Sequence, residues 1–162
     1  MRICLLILAA GLALTLGCGP SSDPPAESGT TTTADPSGLS GDELENGIGP
    51  VKAPVELGAL DPALAAKGQL IFEQKCLSCH KLGERFIGPA LGDVLSRRTP
   101  RYVLNMILNP DEMVKRHPEA KKLLAEYLAP MAQQNLSPDD ARAVLEYIRS
   151  AGSTGTASPA GR

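Results

Sequence analysis

The pentapeptide Cys76-Leu77-Ser78-Cys79-His80 constrains the fold more than any other segment of the chain. Two thiols separated by two residues and followed at once by an imidazole form the pattern that is typical of covalent haem attachment. The spacing has a chemical reason, because two thiols at a helix end can reach the two vinyl groups on one edge of a porphyrin. The motif therefore predicts one haem c, with Cys76 and Cys79 as attachment points and His80 as an axial ligand to its iron.

The composition of the chain narrows the class of protein. Its 162 residues carry a formal net charge of −2, which excludes a strongly basic nucleic-acid-binding protein. There is no Trp, and only five residues are Phe or Tyr. A domain of this size usually fills its core with aromatic side chains, so a porphyrin at the centre would explain the shortage. No apolar run is long enough to predict a full transmembrane helix.

The N-terminus has the pattern of an export signal. Arg2 provides a positive charge, and residues 3–16 form an apolar run that is too short to span a bilayer. Gly17-Cys18 then resembles a bacterial lipobox, whose cysteine becomes the lipid-bearing first residue of the mature protein. We expect residues 1–17 to be a signal peptide and Cys18 a lipid anchor in the periplasm or on the outer face of the cytoplasmic membrane. The alternative is plain secretion with cleavage slightly further along.

Residues 18–56 have the composition of a disordered acidic tether. From residue 19 to residue 56 the chain is rich in Pro, Ser, Thr and Gly, and seven acidic residues outnumber one lysine. Such a segment buries too little apolar surface to offset the entropy of ordering, so we predict disorder. Residues 153–162 are predicted to be a disordered tail, which leaves residues 57–152 as the folded domain.

That domain shows helix signals and no alternating strand pattern. Asp61-Pro62 and Thr99-Pro100 each join an N-cap side chain to a proline at the first helical position. Pro118 opens a third candidate helix, and Ser137-Pro138 opens a fourth that we expect to stop at Gly152. The sequence therefore predicts an all-α fold.

Other sites built on two cysteines fit the sequence less well. A thioredoxin-type redox pair needs a strand-to-helix turn in a βαβ pattern, which is not present. A structural zinc site needs four ligands, and with Cys4 in the signal and Cys18 lipidated only His117 could complete one. An iron–sulfur cluster needs four cysteines. A simple disulfide would leave His80 without a role.

The ligand on the second face of the iron decides the function. A haem held by His and Met is saturated and transfers electrons, whereas an open position binds oxygen, peroxide or other small ligands. The candidates are Met106, Met113, Met131 and His117. Met106 lies on the apolar face of a predicted helix, which is typical of core, and His117 is typical of a solvated turn. Met131 lies in a non-helical stretch just before the last helix, and this position favours it.

Residues 63–151 resemble the mono-haem class I cytochromes c of bacteria. Besides the haem motif, the resemblance is carried by Gly68, Phe72, Gly88-Pro89, Leu91, Asn109-Pro110, Met131, Leu136-Ser137 and Tyr147-Ile148. It implies a class I cytochrome c fold of about four to five helices wrapped round one covalently bound haem. It also implies that the Pro89 carbonyl accepts a hydrogen bond from the proximal His80 and that Met131 is the second axial ligand.

The resemblance also implies how the helices pack. The first and last helices are expected to cross, with Gly68 and Phe72 against Val144 and Tyr147. The stretch from residue 111 to residue 129 is longer than in the smallest members of the family. It predicts an extra helix over one haem edge.

These features predict a membrane-tethered respiratory electron carrier that is not an enzyme. Its partners would be a redox donor and acceptor, such as a respiratory complex, an oxidase or a reductase, including copper enzymes. Arg85, Arg97 and Arg98 are candidate donors to the haem propionates, and Lys and Arg near Cys79 could form a docking ring. The alternatives are a haem enzyme or gas-binding protein with an open iron site, and a haem subunit of a larger oxidoreductase.

Overall fold

A computed structural model describes residues 36–155, with side chains up to residue 152, and contains seven helices in that range. They are α1 (Gly41–Asn46), α2 (Pro62–Lys75), α3 (Val94–Arg97), α4 (Pro100–Leu108), α5 (Pro110–Arg116), α6 (Pro118–Tyr127) and α7 (Pro138–Gly155). No strand occurs among these residues, so the all-α prediction is confirmed. The predicted signal peptide, Cys18, the first part of the tether and residues 156–162 lie outside the described residues.

The described helices outnumber the predicted four to five because three of them are short. α1, α3 and α5 have only 6, 4 and 7 residues, too few for a helical hydrophobic pattern to mark them in the sequence. The extra helix expected between residues 111 and 129 is present as α6. None of the helices in the described part of the chain is long and apolar enough to cross a membrane.

The helix starts follow from the capping residues that the sequence offers. The Asp61 carboxylate accepts hydrogen bonds from the backbone of Ala63 and Leu64 at the start of α2. The Thr99 hydroxyl accepts one from the Tyr102 backbone at the start of α4, at 3.1 Å. These bonds satisfy N–H groups that have no partner within the helix. The predicted starts of both helices are confirmed.

The crossing of α2 and α7 forms the main core. A Cβ at Gly68 would collide with the carbonyl oxygen of Ala143, so only glycine allows the two backbones to approach this closely. The rings of Phe72 and Tyr147 meet edge to face with centroids 5.3 Å apart, and Val144 is fully buried in the same cluster. The expected packing of the first helix against the last is therefore present.

The C-terminal boundary of the domain lies later than predicted. α7 continues to Gly155, whereas the sequence led us to expect the helix to stop at Gly152 and a tail to begin at residue 153. Glycine favours a helix stop only where the chain takes a left-handed conformation, and Gly152 does not have a positive φ. It packs instead against the Gly92 backbone, where a Cβ would collide with the carbonyl oxygen.

The prediction of a disordered tether is wrong for residues 39–56. This segment, the N-terminal strap, contains α1 and lies against α4, α5 and α6. Leu39 and Ile48 are buried in a second core with Tyr102, Met113 and Ala120. The average composition of this segment gave the wrong prediction. Two buried apolar side chains and a set of backbone hydrogen bonds stabilise the segment, although most of its residues are polar.

Asn105 provides the main polar attachment of the strap. Its side-chain oxygen accepts a hydrogen bond from the Val51 backbone at 2.9 Å, and its amide donates to the carbonyls of Asn46 and Val51. Gly49 passes so close that a Cβ there would collide with the Asn105 amide. The backbone of the strap therefore packs closely around the buried Asn105 side chain.

Other side chains of α4 and α5 extend the attachment along the strap. Arg101 forms an ion pair with Asp42 and donates to the Lys52 carbonyl, and the Asp42 pKa is lowered, mainly by its bond to Arg101. The Ile48 backbone donates to the Met113 sulfur at 3.0 Å. The strap is thus attached both through the Asp42 carboxylate and through the backbone of the apolar residue Ile48.

The attachment can be tested with Asn105→Ala in the full-length holoprotein. The substitution removes the partner of three partly buried backbone groups, so we expect the free energy of unfolding to fall by about 2–3 kcal/mol. Guanidinium titration followed by circular dichroism measures this change. Gln69→Ala is the control, because the Gln69 amide is exposed and bonds only to Glu73. Equal stability of the two variants would show that the Asn105 hydrogen bonds to the strap contribute nothing to stability.

Candidate haem-binding site

The haem motif forms a tight turn immediately after α2. The Cys76 backbone N–H still bonds to the Phe72 carbonyl, and the N–H groups of Cys79 and His80 both bond to the Cys76 carbonyl, at 3.0 and 2.8 Å. The turn makes Cys76, Cys79 and His80 line one cavity. The fold therefore brings the three residues of the motif together at one cavity.

No disulfide joins the two cysteines of the motif. Cys76 is half-buried, and Cys79 is exposed at the edge of the cavity. Burial, with a smaller contribution from the neighbouring Cys79, raises the pKa of the Cys76 thiol to about 11.

The His80 ring is held in one orientation by the loop that follows it. Its Nδ1 lies 3.0 Å from the Pro89 carbonyl oxygen, and because a carbonyl can only accept, Nδ1 carries the proton. Nε2 then keeps its lone pair for a metal. Gly88 allows this placement, since a Cβ there would lie 2.5 Å from His80 Cε1. The contact expected between Pro89 and His80 is thus present.

The cavity beside His80 has a volume of about 260 Å³ and mostly apolar walls. Residues from α2 to α7 and from the loops before α3 and α7 contribute to them, including Phe72, Leu91, Val94, Val103, Ile107, Leu124, Met131 and Ile148. Such walls suit the flat, apolar face of a porphyrin and keep water from it. The cavity lies where aromatic side chains would fill the core of another domain, which agrees with the shortage of aromatic residues in the sequence.

The structure separates the four candidates for the second axial position. Met113 is fully buried in the second core, and its sulfur accepts the Ile48 N–H. His117 is also buried, with Nε2 donating to the Leu44 carbonyl and Nδ1 accepting from the Glu119 backbone. The expectation that His117 is a solvated turn residue is wrong, because it caps α6 and binds the strap. Only Met106 and Met131 among the four line the cavity.

One polar atom of the cavity lining points to the cofactor. The Tyr102 hydroxyl is buried and has no hydrogen-bond partner among the described residues. Burial is the main cause that raises the pKa of Tyr102, so the hydroxyl keeps its proton and can donate. A buried donor needs an acceptor, and haem carries two carboxylates. The residues present therefore fit a haem, and the sequence held no signal that marked Tyr102.

The arginines expected near the propionates behave differently from one another. Arg97 and Arg98 line the cavity, and the Arg98 guanidinium lies 5.2 Å from the Tyr102 ring centre while it pairs with Glu119. Arg85 is not part of the lining. It forms an ion pair with Glu126 at 2.9 Å, so it is no candidate for the propionates.

The similarities of the chain to known proteins agree with this geometry. A family model described as Cytochrome c matches residues 65–152, which is more than half of the chain. The chain belongs to the cytochrome c family. A cytochrome c2 of Rhodopseudomonas palustris is 47% identical over 34 residues, which are 21% of this chain and 29% of that protein. This chain thus aligns with well under two thirds of that relative.

Solved structures of cytochromes c extend the similarity over most of the domain. A cytochrome c from Rhodothermus marinus is 48% identical and superimposes with a TM-score of 0.66 over 70% of this chain and 97% of that one. An engineered form from the same organism, bound to a carbene intermediate, is 49% identical with a TM-score of 0.62 over 69% of this chain and 97% of that one. The chain therefore has the class I cytochrome c fold and carries covalent haem c with iron.

The fit of His80 against its loop can be tested with Gly88→Ala. The added Cβ must displace the imidazole, so we expect a lower yield of holoprotein and a changed ferric electron paramagnetic resonance spectrum. Gly83→Ala is the matched control on the same loop, because a Cβ at Gly83 meets nothing within 4 Å. Identical spectra and yields for the two variants would mean that the Gly88 contact does not position the ring.

Proposed function

We propose that the protein is a single-electron carrier whose haem iron is held by His80 on one face and Met131 on the other. The observation that carries the proposal is that one apolar cavity is lined both by the haem motif and by the loop that contains Met131. A saturated iron changes its ligand geometry little between its two oxidation states, which favours rapid electron transfer over ligand chemistry.

The backbone conformation at each residue favours Met131 over Met106 as the second axial ligand. Met106 lies on the regular helix α4 and also packs against the second core. Met131 lies in the non-helical loop of residues 128–137, whose course is set by positive φ angles at Leu128 and Asn135. A bond from the Gln133 amide to the Leu108 carbonyl, at 3.0 Å, ties this loop to the end of α4. Such a loop can direct a thioether at the iron without bending a helix.

The side chains of the cavity perform distinct tasks in this proposal. Haem c supplies an iron that accepts and returns one electron. The bond from His80 to the Pro89 carbonyl keeps the imidazole oriented, and the Met131 sulfur favours the reduced form and raises the potential. The apolar walls exclude water, which lowers the local dielectric. Tyr102, Arg97 and Arg98 would hold the carboxylates of the haem.

We further propose that the protein is exported and tethered by a lipid on Cys18. The apolar run before Gly17-Cys18 supports this, and its redox donor and acceptor would then be respiratory complexes, oxidases or reductases at the same membrane. Because the strap is packed on the domain, the tether can be no longer than residues 19–38. Their greatest span is about 70 Å. The domain would therefore stay closer to the membrane than a tether reaching residue 56 would allow.

Replacement of the axial candidates tests the electron-carrier proposal. In Met131→Ala we expect the near-infrared sulfur-to-iron charge-transfer band of the ferric protein to disappear. The midpoint potential should fall by roughly 100 mV or more, because a Met ligand raises it. Met106→Leu conserves volume and should keep the band. A native ferric iron that is high-spin and binds azide readily would instead support the open-site alternative.

Substitution of Cys18 tests the proposal that a lipid tethers the protein to the membrane. With the full chain expressed in a bacterium that matures c-type haem, we expect the wild-type haem to sediment with membranes and to enter the detergent phase on temperature-induced phase separation. Cys18→Ser should give an unmodified precursor that no longer incorporates labelled fatty acid. Wild-type protein recovered entirely in the soluble periplasmic fraction would contradict lipidation.

A further inference from the structure

The loop that follows the haem motif is bonded both to the motif and to itself. The Gly88 backbone N–H donates to the Cys79 carbonyl at 2.8 Å, and the Gly92 N–H donates to the Leu82 carbonyl at 2.8 Å. Residues 81–92 therefore form a closed loop, the proximal loop, which also supplies the carbonyl that orients the proximal imidazole. Its backbone bonds make this loop a fixed support on one side of the haem cavity.

The loop that carries Met131 has far fewer bonds of its own. Within the described part of the chain, residues 129–136 neither donate nor accept a backbone-to-backbone hydrogen bond. The Gln133 side chain donates to the Leu108 carbonyl at 3.0 Å and attaches the middle of the loop. The chain enters the loop through Leu128 with a φ of 55°, a left-handed conformation that is strained for a residue with a side chain. Segments held this sparsely open more readily than a core does.

An arginine of the proximal loop binds the two residues that precede this strained entry. The Arg85 guanidinium donates to the Glu126 carboxylate at 2.9 Å and to the Glu126 carbonyl at 3.1 Å. It also lies over the Tyr127 ring, 4.0 Å from the ring centre. These contacts, the Arg85 clasp, join the proximal loop to the end of α6, directly before the loop of Met131.

We propose that Arg85 is a positioning residue for the second axial ligand, because the Arg85 clasp holds the start of the Met131 loop and thereby sets how readily Met131 leaves the iron. The inference rests on the proposed ligation of the haem iron by His80 and Met131. The clasp fixes the start of the loop and Gln133 fixes its middle, and the sulfur lies between these two attachments. When the clasp opens, the sulfur can move away and an external ligand can take its position.

The Arg85 clasp is more than an exposed ion pair. The Arg85 side chain is 55% exposed, and ion pairs at such positions contribute little on their own. Here the planar guanidinium adds a hydrogen bond to a backbone carbonyl and stacking on an aromatic ring, a combination that lysine cannot reproduce. The ring that it covers, Tyr127, lines the haem cavity, so the clasp acts on a wall of the site itself.

Imidazole binding to the ferric holoprotein provides the test. A nitrogen of imidazole takes the iron position that the Met131 sulfur leaves, with no change of oxidation state, and loss of the sulfur-to-iron charge-transfer band records the exchange. At saturating imidazole, the observed rate approaches the rate at which the sulfur leaves. In Arg85→Gln we expect the apparent affinity for imidazole to rise about fivefold, and the limiting rate to rise with it. Arg85→Lys keeps the charge but loses the stacking and one hydrogen bond, so its affinity should be intermediate.

Lys67→Gln is the matched control. Lys67 and Asp140 form an ion pair of similar exposure that joins α2 to α7, with 2.7 Å between the ammonium and the carboxylate, and neither residue lines the haem cavity. Guanidinium titration should show that Lys67→Gln and Arg85→Gln lower the free energy of unfolding by similar amounts. Imidazole affinity should nevertheless stay at the wild-type value in Lys67→Gln.

Two results would overturn the proposal. The first is an imidazole affinity of Arg85→Gln that equals that of the wild type. The second is an equal rise of affinity in Lys67→Gln, because the effect would then follow from a general loss of stability. Failure of the proposed ligation is distinguishable, since the wild-type ferric protein would then lack the charge-transfer band and Met131→Ala would bind imidazole no more tightly than the wild type.

Discussion

The hydrogen bond between His80 Nδ1 and the Pro89 carbonyl sets the constraint on which the haem site depends. It fixes the tautomer and the plane of the imidazole, and the absent side chain of Gly88 lets the loop lie against the ring. With the imidazole fixed, Nε2 would bind the haem iron from one side of the cavity, and in our proposal a second ligand comes from another wall. The loop of residues 128–137, tied to the end of α4, carries the ligand that we propose, Met131.

The elements around the haem site form two hydrophobic cores. The main core, at the crossing of α2 and α7, supports the haem motif from behind. The second core is closed by the N-terminal strap, which bonds through its backbone to Asn105, Asn109 and His117. Because Tyr102 belongs to the second core and also lines the cavity, the strap stabilises one wall of the haem site.

Some large apolar side chains are exposed beside the haem cavity, and this follows from the same arrangement. The loops that close over a porphyrin must be apolar on their inner side, and short loops cannot hide every such side chain from solvent. Leu77 and Leu128 are neighbours of lining residues and remain outside.

The sequence by itself determined the features that depend on a few neighbouring residues. The spacing of Cys76, Cys79 and His80, together with the caps at Asp61 and Thr99, predicted the cofactor, the proximal ligand and the helix starts, because each signal acts within one turn of chain. Only the tertiary structure decided which methionines face the cavity, that Tyr102 has a free donor, and that residues 39–56 are ordered. Asn105 and Val51 are 54 positions apart. Such contacts form only when the fold brings distant residues together, and composition averaged along the chain carries no record of them.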